Sequence, residues 1–177
     1  MPVIYTADWY SAVVEAINTH VAGLRGVPEG AWTCRIEIAG DGVSPYVAAG
    51  EERHFLVRID GGRCIWYREV LGEEEEGTVL DYRFRGPAAV FDEIAAGAID
   101  PVVAALHGTV KVRGDMRFLM RQAELVKTLL EAYATGVVET TWPLGAPPYA
   151  VTGGSSDATT AGAPTTAAAA TRGPADA

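Results

Sequence analysis

Cysteine and histidine are scarce in this chain, two and three residues in 177. Cys34 and Cys64 each stand alone inside strand-like runs, without the paired spacing of a metal knuckle. They therefore read as buried free thiols in a reducing cytoplasm, and neither a disulfide framework nor a metal site is expected. His20 lies in a helical stretch beside Val21, His54 heads a strand, and His107 ends a short helix, where the dipole favours a cation. None shows the oriented carboxylate partner of a general acid or base. The sequence also lacks G-x-S-x-G, a P-loop and a dinucleotide glycine fingerprint, so the expectation is a protein with no catalytic residue and no cofactor. No window approaches the ~20 apolar residues that cross a bilayer, and MPVIYTADWY lacks the basic-then-apolar pattern of a secretion signal. Basic residues are outnumbered, fourteen against twenty-three acids, for a net charge of -9. Such a molecule is repelled as a whole by phosphate backbones and anionic headgroups, which argues against nucleic acid as a partner.

Apolar residues, by contrast, make up 49% of the chain, enough for one domain with a real core. They stop abruptly near residue 150. From there TGGSSDATTAGAPTTAAAATRGPADA has no large apolar side chain to offset chain entropy, so the reading is a folded domain over 1–150 and a disordered tail over 151–177. Asp8 precedes a stretch in which Trp9, Val13, Ile17, Val21 and Leu24 recur at helical spacing before Gly26. Strand character follows in TCRIEIAG (33–40), RHFLVRID (53–60) and RCIWYREV (63–70), the last two joined by Gly61-Gly62, a pair suited to a tight hairpin. GDGVSPYVAAG (40–50) reads as an inter-strand loop and Glu73–Glu76 as a solvated acidic one.

In TVLDYRFR (78–85) Leu80, Tyr82 and Phe84 alternate with Asp81, Arg83 and Arg85, predicting one buried face and one wet one. Pro87 opens a helix carrying Val90, Phe91 and Ile94 that stops at Gly97. Asp100 caps a short helix from Pro101, TVKVR (109–113) is a fifth strand, and a long helix runs from Met116 to Thr135. Arg113, Arg117 and Arg121, at i, i+4 spacing, read as a solvated helix face. Helices segregated from a largely antiparallel sheet make an α+β fold.

The order Gly97, Asp100-Pro101, Gly108, Lys111, Gly114, Asp115-Met116 across residues 78–125 resembles the C-terminal half of a sterol carrier protein 2 domain. That resemblance implies a five-stranded mixed sheet covered on one side by helices. It also implies an apolar tunnel between the two layers that takes a fatty acyl group, a sterol or a similar molecule. The last helix supports this independently. Met116, Leu119, Met120, Ala123, Leu130 and Tyr133 form one apolar stripe and Phe118, Leu125, Leu129 and Ala132 a second, more than one sheet contact needs. The first helix, a ligand or another subunit would cover the surplus. The expected ligand-binding residues are Phe91, Ile94, Leu106, Met116, Leu119 and Met120, the methionines adapting to varied shapes. Related domains also occur fused to enzymes, so an accessory or protein-interaction module serving an enzyme, or a homodimer, is the alternative.

Overall fold

The computed structural model describes residues 1–21, 30–71, 79–121 and 138–149, and the side chains among them except those of Val21 and residues 118–120. The helix expected beyond Arg121, the Glu73–Glu76 run and the tail over 151–177 lie outside the described residues. Helix α1 (Ala7–Val21) leads into strands β1 (Ala31–Ala39), β2 (Glu52–Asp60) and β3 (Arg63–Val70). Then come β4 (Tyr82–Pro87), α2 (Ala88–Ala95), α3 (Pro101–Leu106), β5 (Lys111–Gly114) and α4 (Met116–Arg121). The sheet has the order β3-β2-β1-β4-β5. Only β1 and β4 run parallel; the other pairs are antiparallel. The expected five-stranded mixed sheet, with helices packed on one side, is what the chain forms.

Gly61 and Gly62 turn β2 into β3 with φ of 53° and 77°, the mirror-image turn whose twist suits a two-residue hairpin. The register shifts between Arg58 and Ile59, so that Arg58 pairs with Trp66 and Ile59 with Cys64. Ile65 is thereby bulged out and exposed. The bulge brings Cys64 and Tyr67 to one buried face although their odd spacing would separate them in a regular strand. Helix α1 packs on that end of the sheet through Trp9, Val13 and Ile17 and is pinned by Asn18, whose side chain both donates to the carbonyl and accepts from the amide of Cys64, at 2.9 and 2.8 Å.

Three boundaries differ from the sequence reading. β4 begins at Tyr82, because Asp81 turns its carboxylate back to accept the Thr33 amide at 2.7 Å. Pro87 still belongs to the strand, with φ -65° and ψ 147°, and stands at the N-cap of α2 without capping it. β5 begins at Lys111, since the amides of Thr109 and Val110 donate to the Ala104 carbonyl and close α3 instead. Asp100 caps α3 as expected, accepting from Val102 and Val103 at 2.7 and 3.2 Å.

Gly114 explains the Lys111-x-x-Gly spacing physically. Its φ is 143°, and a Cβ there would stand 2.3 Å from the Tyr82 ring. Gly114→Ala must therefore push Tyr82 off the sheet or strain the backbone, and it should cost about 2–4 kcal/mol by chemical denaturation. A loss under ~0.5 kcal/mol would show that the close approach is not maintained.

Candidate functional site

The inner face of the sheet is unevenly covered. Under α1, Phe55, Val57, Ile59 and Tyr67 are buried. Toward the other edge Trp32, Cys34 and Ile36 of β1, Phe84 of β4 and Val112 of β5 are only half-buried. Ile36, Phe84 and Val112 share one row across three strands. They form an apolar floor.

Two of the six expected ligand residues stand beside this floor in the core. Phe91 and Ile94, on α2, are 5% and 2% exposed. Phe91 reaches β4 because Gly86 has no side chain: a Cβ there would lie 3.3 Å from the ring. Leu106, at the end of α3, and Met116, at the start of α4, are 75% and 48% exposed. Val102 and Val103 of α3 are exposed beside Leu106, whereas Met116 follows the far end of β5, whose Gly114 pairs with Tyr82. The side chains of Leu119 and Met120 lie outside the described residues.

Sequence reasoning missed a buried polar centre beside this region. Asp92 of α2 is wholly buried and accepts three hydroxyl hydrogen bonds: from Tyr5 at 2.5 Å on Oδ1, and from Ser44 at 2.5 Å and Tyr149 at 2.6 Å on Oδ2. Burial raises its pKa, and the three hydroxyls, which favour the charged form, pull the other way. The Tyr149 hydroxyl is held far above its ordinary range by burial and by the carboxylate it faces. Four remote segments meet here: the N-terminus, the loop before β2, α2 and the segment over 138–149.

That loop, GDGVSPYVAAG, also caps α2. Asp41 accepts from the amides of Val43 and Ser44 and, through its other oxygen, from Ala89. Burial works against its charge, but the Ser44, Val43 and Ala89 amides hold its pKa below the usual carboxylate value. Segment 138–149 is fastened further by Trp9, whose indole donates to the Thr140 hydroxyl, and by Tyr46, which donates to the Gly145 carbonyl.

Both thiols are free, and burial pushes them up, Cys34 to about 12 with help from Asp81, and Cys64 to about 11. Burial thus favours the neutral thiol over the thiolate at both positions. Among the described residues, no three His, Cys, Asp or Glu side chains gather as metal ligands, and no helix is long and apolar enough to cross a membrane.

The model of the SCP-2 sterol transfer family matches residues 33–127, more than half of the chain. The chain belongs to the SCP-2 sterol transfer family. Solved structures agree on the fold. One is a Thermus thermophilus protein described as "possibly sterol carrier protein". It is 18% identical with a TM-score of 0.57, over 79% of this chain and 92% of that one. A crystal structure of sterol carrier protein 2 is 15% identical with a TM-score of 0.59, over 78% and 99%. At these identities the likeness shows the SCP-2 fold alone, and no curated protein matches the sequence significantly.

Proposed function

We propose that this member of the SCP-2 family binds a long apolar molecule, fatty acyl or sterol-like, and carries it without chemical change. The cargo lies in a tunnel between the inner sheet face and the helices that follow β4, lined by Phe91, Ile94, Leu106, Met116, Leu119 and Met120. The observation that carries this reading is the half-buried row Ile36, Phe84 and Val112, continuous in kind with the buried Phe91 and the exposed Leu106 and Met116. An apolar core left wet on one side gains free energy when an apolar molecule covers it.

The arithmetic supports a useful affinity. Burying about sixteen methylenes at ~0.8 kcal/mol each yields roughly 13 kcal/mol gross. Association costs of about 4–15 kcal/mol offset much of this. Micromolar or somewhat tighter binding is the expected result of titrating the protein with a fluorescent long-chain fatty acid. Failure to bind fatty acids, acyl thioesters and sterols alike would leave an accessory module acting on another protein as the reading to pursue.

A further inference from the structure

The outer face of the sheet has a composition that the net charge of the chain hides. Arg35, Arg58, Arg68, Arg83, Arg85, Lys111 and Arg113 all project from it, half of the fourteen Lys and Arg in a chain of net charge -9. The register concentrates them. Arg35, Arg83 and Arg113 form one row across β1, β4 and β5, and in the next row Arg85 of β4 lies opposite Lys111 of β5. Like charges directly opposite one another destabilise a sheet, and here two adjacent cross-strand pairs are both cationic. Among the described residues, the carboxylates of Glu37 and Glu52 lie among these five cations. Glu37 stands 3.3 Å from Arg35 and 3.9 Å from both Arg83 and Arg85, and Glu52 pairs with Arg85. Arg83, Arg85, Lys111 and Arg113 remain exposed. Arg85 and Lys111 also border a cleft of about 300 Å³ at the carboxyl ends of β1 and β4, with Gly40, Pro87 and Thr109 on its other sides.

We propose that this face, centred on β4 and β5, docks the protein on the anionic lipid headgroups of a membrane. The face is a sheet surface broad enough to meet many headgroups at once, and guanidinium groups bind phosphate oxygens in pairs. At its far edge Trp66 stacks under Arg68, with the guanidinium 4.8 Å from the ring centre, and an amphipathic aromatic suits the headgroup level. Because the rest of the molecule is acidic, an anionic surface attracts this face and repels the others, so the charge distribution fixes the orientation of approach. The proposal rests on the lipid-carrying reading, since it brings the carrier to the membranes that hold its cargo.

The test is flotation of the full chain with phosphatidylcholine vesicles, with and without phosphatidylserine, at low and high salt. Wild type should bind the phosphatidylserine vesicles at low salt and be released as salt screens the contact. Arg83→Gln with Arg113→Gln should weaken partitioning roughly tenfold to thirtyfold. The same variant should melt within a degree or two of wild type, because it loses the repulsive pair and the long contact of Arg83 to Glu37 together, and should bind fatty acid from aqueous solution as wild type does. Equal binding to neutral vesicles, or an unchanged variant, overturns the proposal. So does tighter binding to nucleic acid under the same conditions, or a salt-dependent dimer of this chain lost in the variant. Vesicle binding without fatty-acid uptake would support the docking surface while removing the cargo reading.

Discussion

Asp92→Ala should destabilise the domain by about 3–5 kcal/mol and lower its melting temperature by about 10 °C. The carboxylate is the common acceptor for Tyr5, Ser44 and Tyr149, so its removal orphans three hydroxyls at once in a site with little water to replace it. Each orphan costs about 1–3 kcal/mol alone, and coupled losses do not add in full. Tyr5 adds a second stake, since it holds a positive φ of 61°, unusual for a side chain of its size, and its bond to Asp92 helps keep it there. Asp92→Asn should fall between the two, because an amide keeps one acceptor and offers donors to hydroxyls that can rotate.

The titration of Asp92 has a definite sign. Its folded pKa is raised, so the proton-linked part of its contribution to stability is fully present below the unfolded carboxylate value and is lost as pH rises through the folded one. The stability difference between wild type and Asp92→Asn should therefore shift toward the Asn variant as pH climbs through that window and stay constant above it. A loss under about 1 kcal/mol for Asp92→Ala would mean that the four segments are held together by apolar packing alone.

The second large effect concerns binding without folding. Leu106→Asp and Met116→Asp should each reduce fatty-acid affinity by about a hundredfold or more, because a carboxylate facing the cargo is costly to desolvate. Neither should change the melting temperature by more than a degree or two, since both side chains are already exposed in the protein. Val43→Asp, an equally polar change at an exposed valine in the loop before β2, serves as the control and should leave binding intact. Leu119→Asp and Met120→Asp should also abolish binding, with folding checked alongside. If Leu106→Asp and Met116→Asp both bind as wild type does, the cargo does not enter past the ends of α3 and α4.

Much of the fold is legible in local signals. Gly61-Gly62 names its own turn, Asp100-Pro101 its own helix start, and the alternation of Tyr82 and Phe84 with Arg83 and Arg85 names the buried face of β4. What is not legible depends on contacts between distant segments. Asp92 looks like a wet position in AAVFDEIA, since its partners lie 87, 48 and 57 residues away. Its one local hint is that it sits beside Phe91 in a helix buried over most of its surface. The basic face is hidden for the same reason. Arg113 reads with Arg117 and Arg121 as a helix face, whereas pairing puts it opposite Arg83 on the sheet. The short β5 and the late start of β4 escape a local reading because Thr109 and Val110 use their amides to close α3, and Asp81 meets Thr33 of β1, 48 residues away, through its carboxylate.

Whether the protein carries an apolar cargo is decided by native mass spectrometry of the full chain purified from cells, followed by solvent extraction. The expected result is a population heavier than the bare polypeptide, whose extra mass leaves on denaturation and is recovered in the organic phase as a long-chain apolar molecule. Bare polypeptide alone, unchanged after incubation with fatty acids, acyl thioesters and sterols, would refute cargo carriage.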